Sequence, residues 1–372
     1  NTKDRARTLA AYNNESVEKH LFLVGTTALR EENEIHIIEY EEESGSIVCR
    51  QILNHPSEIW DLKPCPKKSN LLFTALNTGS TMKGTLWELP VNIGDDDVDK
   101  NSNKTIERGT MTSVVTLNEN SSNSIGAGVW DTNDTRLLTW PGANIVGDLL
   151  VWDIDSKNSS NVSHTIHNNN NNENNGTISI VYAAAWDPHR SSTLAVAKGD
   201  AIVGYDIRTS DTEQTFSIPN AHGLCTRDLD YNPNKPYCFL SGGDDGKIKF
   251  WDYRKTNTPL KVLSGHSHWV TKTKYNPFHD QLVISAGTDS SVALWRAASI
   301  SSAPLLELDD DDEGEEEEDV NNDDGNKEVG GGDIDSAKDI ADAMIRRFDE
   351  HEDSVYGLAW SLCDAWGFSS LS

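Results

Sequence analysis

The sequence has no uninterrupted run of about 18 apolar residues, so nothing in it reads as a membrane span. Positive charge is scarce: 32 Lys and Arg face 60 Asp and Glu, for a formal net charge of −28. A field of that sign repels phosphate backbones and anionic headgroups, which argues against nucleic-acid or membrane binding and favours proteins as partners. Cysteine is sparse, five residues with no CxxC pair. An odd, scattered set fits free thiols in a reducing cytosol better than a disulfide framework or a zinc knuckle. No glycine-rich phosphate loop, HExxH or metal-spaced cluster occurs, so no cofactor, metal or small-molecule substrate is expected. The first residues lack the apolar stretch of a secretory signal. The missing initial Met leads us to expect that the sequence begins inside a longer chain.

What the chain does have is tryptophan, eleven in all, and a repeat that places them. His222-Gly223 through Phe250-Trp251-Asp252 aligns with Gly265-His266 through Leu294-Trp295-Arg296. The step is 44 residues from His222 to His266 and again from Trp251 to Trp295. Tyr231-Asn232-Pro233 matches Tyr275-Asn276-Pro277, and Ser241 with Asp245 matches Ser285 with Asp289. A period of about 40–45 residues with these marks is that of a four-stranded propeller blade. Alternating Val270, Thr273 and Tyr275 read as a strand with one packed face. Asn-Pro turns the chain, and Asp245-Gly246 makes a tight hairpin.

Weaker copies flank this pair. His55 to Trp87-Glu88 is one, Trp130 to Trp152-Asp153 another, and Trp186-Asp187-Pro188 to Tyr205-Asp206 a third. Residues 21–53 look like the later strands of a first blade, and His351 to Ser372 begins a last one. The expected fold is all-β: a single WD40-type β-propeller over 1–372, of seven blades, the first and last incomplete. Three insertions interrupt it, at 91–109, 168–175 and 309–336. Residues 309–342 hold seventeen acidic residues against two lysines, more than half the net charge. Such compositions bury too little apolar surface to order themselves, and all three are expected to be disordered. Met111–Leu117 and Met344–Phe348 are expected as fourth strands beyond the first and third insertions.

His266, Ser285 and Asp289 resemble a hydrolase triad, but the set recurs as His222, Ser241 and Asp245, each with its tryptophan (Trp295 and Trp251). A catalytic triad occurs once per site and a structural network once per repeat, so these eight residues are expected to brace the blades, and no enzyme is expected. Three and five positions after each blade histidine fall Glu58 and Trp60, Cys225 and Arg227, Trp269 and Thr271, Ser354 and Tyr356. They should flank the start of each first strand and form a candidate partner-binding rim, since Trp, Tyr and Arg anchor interfaces. Trp60 and Trp269 could equally pack between blades.

Several stretches go beyond the general repeat: Phe22-Leu23-Val24-Gly25-Thr26 with Ile35-His36-Ile37-Ile38, His266-Ser267-His268-Trp269-Val270, and Glu350-His351-Glu352-Asp353-Ser354-Val355-Tyr356. Through them the chain resembles the WD-repeat family that interacts with the EARP and GARP vesicle-tethering complexes, from about residue 20 onward and most closely over 220–303. The resemblance implies a non-enzymatic scaffold in the cytoplasm, recruited to the trans-Golgi network and endosomes. It also implies tether subunits as partners, in endosomal recycling and endosome-to-Golgi retrograde transport. Phe239 through Arg254 also resembles the sixteen-residue box of substrate receptors for cullin-type ubiquitin ligases, the alternative reading.

Overall fold

Along Asn33–Glu41 every second side chain is buried, with Asn33, Ile35, Ile37 and Glu39 on the packed face. A two-residue period with β-branched residues inside is what a pleated strand requires. In the structure, a computed structural model, such segments assemble into sheets set around an axis. It describes residues 6–13, 19–28, 32–90, 107–117, 124–142, 145–155, 160–168, 180–208, 213–302 and 342–372. Of the insertions expected to be disordered (91–109, 168–175 and 309–336), 91–106, 169–175 and 309–336 lie outside these residues, whereas residues 107–109 fall in a strand and Asn168 is buried.

The first sheet holds β1 (Ala6–Tyr12), β2 (His20–Thr26), β3 (Asn33–Glu41) and β4 (Ser46–His55). The second begins with β5 (Glu58–Pro64), β6 (Leu71–Asn77) and β7 (Met82–Glu88). β8 (Glu107–Thr110) then pairs in parallel with β4, as a fifth strand on the first sheet, before β9 (Thr112–Leu117) completes the second. The single strand expected over Met111–Leu117 is thus preceded by a strap that ties two neighbouring sheets. The third sheet is β10 (Ala127–Trp130), β11 (Arg136–Trp140), β12 (Leu149–Ile154) and β13 (Ser160–Ile166). The fourth is β14 (Val181–Trp186), β15 (Thr193–Lys198), β16 (Ala201–Asp206) and β17 (Glu213–Ile218). The fifth is β18 (Thr226–Tyr231), β19 (Cys238–Gly243), β20 (Lys247–Asp252) and β21 (Lys261–Ser264). The sixth is β22 (Val270–Tyr275), β23 (Leu282–Gly287), β24 (Val292–Ala297) and β25 (Asp342–Phe348). Last come β26 (Gly357–Trp360) and β27 (Phe368–Leu371), which among the described residues pair only with each other.

The fold is therefore a WD40-type propeller of six blades, and the expected count of seven is corrected. The first blade, expected to be incomplete, has all four strands, because Ala6–Tyr12 supplies the strand that 21–53 lacked. His351 and Trp360 carry the marks of a blade's opening strand, but only one strand follows them. This two-stranded sheet wedges between the sixth blade and the first. Neighbouring sheets meet through their first strands, which form the inner ring: β1–β5–β10–β14–β18–β22–β26 and back to β1. Apolar clusters fill each gap, as where Leu240 and Phe250 of the fifth blade meet Val283 and Trp295 of the sixth. At Asp245-Gly246 the hairpin needs a left-handed residue, and Gly246 supplies φ +71°. The equivalent turn of the sixth blade takes the same conformation with Ser290, at φ +59°.

Candidate partner-binding site

The structure brings the repeated polar residues together inside two blades. His222 Nε2 lies 2.8 Å from Ser241 Oγ, Trp251 Nε1 donates to the same oxygen at 2.9 Å, and His222 Nδ1 lies 2.7 Å from Asp245. In the next blade His266 Nε2 is 2.7 Å from Ser285 Oγ, which also accepts from Trp295 Nε1 at 2.8 Å. Asp289 sits 3.1 Å from His266 Nδ1. Burial lowers the His222 and His266 pKa values despite their aspartates, which favours neutral rings. Burial alone would raise Asp289, but hydrogen bonds from Ser267 N–H, His266 and Ser291 outweigh it and bring its pKa to about 2. Asp245 is likewise held below the ordinary carboxylate range, its burial outweighed by His222 and Lys249. Ser241 and Ser285 are fully buried, and each hydroxyl is shared between an imidazole and an indole. Neither oxygen is placed to meet a substrate.

Sequence reasoning missed a related set in the second blade, where Thr74 Oγ1 meets His55 Nε2 at 3.1 Å and accepts from Trp87 Nε1 at 2.7 Å. Burial brings His55 down to about 4. The overlooked signal is the spacing. The hydroxyl residue follows its histidine by 19 positions in both complete sets, in this one, and at His351–Ser370.

The rim residues trace to one backbone device. Pairing between the first and second strands slips by one residue in five blades, so that one residue is bulged out: Arg7, Trp60, Tyr182, Arg227 and Thr271. A bulge re-aims a side chain out of the strand's alternation. In the third blade β10, which has Ala127-Gly128 there, pairs without a slip. Bulged side chains of adjacent blades then pair. The Arg7 guanidinium lies 4.1 Å over the Trp60 ring, whose Nε1 donates to Glu58 at 3.2 Å. Arg227 lies between two rings, 4.8 Å from Tyr182 and 4.8 Å from Trp269, and its Nε and Nη2 donate to Asp244 at 2.5 and 2.8 Å. Trp60, Trp269 and Tyr356 are exposed, at 39%, 40% and 50%, while the two tryptophans each also carry an arginine of the neighbouring blade. Thr271 and Ser354 face inward instead. The Thr271 hydroxyl donates to Val355 O at 2.5 Å, and Ser354 lies 3.5 Å from Thr288 O. Cys225 Sγ meets the Tyr182 hydroxyl.

Arg7 and Tyr182 were not found from sequence, because neither blade has the histidine from which the count began. Tyr182, Arg227, Thr271 and Tyr356 stand four residues before the aromatic that ends the strand, Trp186, Tyr231, Tyr275 and Trp360; that spacing reveals Tyr182 but not Arg7, which stands four before Ala11. Arg254, the residue of the alternative ligase reading, is exposed but already engaged. It donates from Nε and Nη2 to Asp252, at 2.9 and 2.6 Å, and lies over Tyr237.

The family model described as EIPR1 beta-propeller matches residues 2–295. The chain belongs to this family. The match runs from the first blade into the third strand of the sixth. Among curated relatives, the "EARP-interacting protein homolog" of Gekko japonicus is 36% identical over 94% of this chain and 87% of its own length. The "EARP and GARP complex-interacting protein 1" of Homo sapiens is 34% identical over the same shares. A more distant relative, the "WD repeat-containing protein DWA2" of Arabidopsis thaliana, is 29% identical, again over 94% and 87%. Family membership agrees with the resemblance read from the sequence. The family match covers both complete braces and the rim from Arg7 to Thr271.

Proposed function

We propose that this chain is a non-enzymatic docking propeller that engages EARP- and GARP-type tethering complexes through its inner-strand rim. It would act from the cytoplasm at endosomes and the trans-Golgi network, in endosomal recycling and endosome-to-Golgi retrograde transport. The observation that carries this reading is the Tyr182–Arg227–Trp269 stack, half-buried at Tyr182 and Arg227 and exposed at Trp269, with Tyr356 exposed ahead of β26, in a chain whose relatives are named for those complexes. Aromatic faces and a fixed guanidinium are the groups that anchor protein interfaces, and the acidic surface favours proteins over nucleic acid or bilayer. On this reading the serine-centred sets are braces that hold the rim in place.

The test must respect Asp244, whose side chain is 5% exposed beside Arg227. Alanine at 227 would strand that carboxylate, whereas lysine keeps a positive charge and loses the planar stack. The double variant Trp269→Ala/Arg227→Lys should weaken binding to purified tether complex by about 30-fold or more, as loss of an anchor worth about 2 kcal/mol would. Its unfolding temperature should stay within a few degrees of wild type. Arg254→Ala should bind normally. Unchanged binding by the rim variant, or loss through Arg254→Ala instead, overturns the assignment.

A further inference from the structure

At the face opposite the rim, where the two-stranded sheet meets the first blade, two side chains of that blade and one from the far end of the chain converge. His20 opens β2, Glu42 sits in the turn between β3 and β4, and Asp364 lies in the loop between β26 and β27. One donor atom from each falls within 4.8 Å of the others. His20 Nε2 is 2.8 Å from Glu42 Oε1 and 3.7 Å from Asp364 Oδ2.

We propose that His20, Glu42 and Asp364 form a binding site for a divalent transition-metal ion, zinc in the first instance, which clasps the ring at its seam. Their orientation is set from behind. Nδ1 of His20, itself 5% exposed, is 2.8 Å from Ser361 Oγ, and its ring abuts Tyr40 edge-on, leaving Nε2 to face the two carboxylates. Asp364 Oδ1 accepts from the backbone N–H groups of Trp366 and Gly367, both at 3.0 Å, which turns Oδ2 toward the imidazole. Support of this kind behind the donors is what holds metal ligands in place. A simple hydrogen bond accounts for Glu42 but not for Asp364, because 3.7 Å is too long for one. Two ligands on one tetrahedral zinc, with bonds of about 2.1 Å, stand about 3.4 Å apart, between the two separations observed. An imidazole with two carboxylates suits zinc and its neighbours better than magnesium or calcium, and a water would complete four-coordination. No spacing in the sequence announces the set, since Asp364 joins His20 and Glu42 of the first blade only when the ring closes.

Metal-stripped full-length protein, titrated calorimetrically with zinc chloride in excess magnesium, tests the site. The excess magnesium is there to compete for the carboxylate run at 309–339, and it competes poorly for an imidazole. The expected result is one zinc per chain and an unfolding temperature that rises with zinc, as for any ligand of the native state. Glu42→Gln, at a largely exposed position, should fold normally, bind zinc at least about tenfold more weakly and lose the thermal gain. Asp364→Asn should do the same. The absence of a one-equivalent step, or a step unchanged in Glu42→Gln, overturns the proposal.

Discussion

A single hydroxyl oxygen in the fifth blade serves two buried rings. Ser241 Oγ is shared by His222 Nε2 and Trp251 Nε1, and all three residues are at most 3% exposed. Buried polar atoms without partners are costly, so the value of the serine lies in what its removal would strand. Ser241→Ala should lower unfolding free energy by about 1–3 kcal/mol, more than the loss of one methylene-sized contact would. Urea titration should show the midpoint falling with an unchanged slope. A change below about 0.5 kcal/mol, the range of an ordinary surface substitution, would remove the bracing role. Thr74 does the same work in the second blade with a different residue type, which is why that set escaped notice while the serine sets did not.

Among the strands, legibility followed how many polar marks each blade kept. The fifth and sixth blades retain histidine, serine, aspartate and tryptophan, and their strands fell where the 44-residue step put them. β1 has none of these marks, and the parallel pairing of β8 with β4 depends on a neighbouring sheet that no local pattern reports. Inner-strand contacts were equally hidden. Asp228 and Asp230 of β18 accept from the N–H groups of Thr273 and Tyr275 in β22, at 3.0 and 2.9 Å, and Asp61 of β5 accepts from Gly128 N in β10 at 3.0 Å. Nothing in the sequence separates these aspartates from surface acids. They stitch one blade to the next where no sheet ladder runs between them. Asp230 also pairs with Lys274 Nζ at 2.9 Å, so Asp230→Ala strands both an amide and an ammonium group. It should cost about 1–3 kcal/mol by equilibrium unfolding. Asp230→Ala/Lys274→Met should recover part of that loss, because it removes the unpaired charge. If the double variant is no more stable than the single one, the ion pair contributes nothing and the amide bond alone carries the cost.

For the ring as a whole, closure rests on its thinnest part. β26 and the chain just before it present Val355, Leu358 and Trp360 to Ile284 and Val292 of the sixth blade, while Ala359 and Leu371 pack against Leu9 and Phe22 of the first. The miscount of blades has the same origin: His351 and Trp360 announce a full unit, and the deficit appears only when strands are paired. A two-stranded sheet is marginal by itself, so this one is held by its neighbours on either side. Trp360 is central to that hold, only 6% exposed, set edge-on to Phe368 and donating from Nε1 to Lys274 O at 3.3 Å. Trp360→Ala should cost about 3–5 kcal/mol, as large-to-small core changes do. Its further effect should be local, because a sheet this small opens below the energy of global unfolding and bares Leu9 and Ile284 when it does. Hydrogen exchange in the variant should show amides of β1, β22, β26 and β27 losing protection first, while those of β12, β15 and β19 keep theirs. Equal loss across all six blades would mean that the ring opens as one cooperative unit and that its seam is no weaker than the rest.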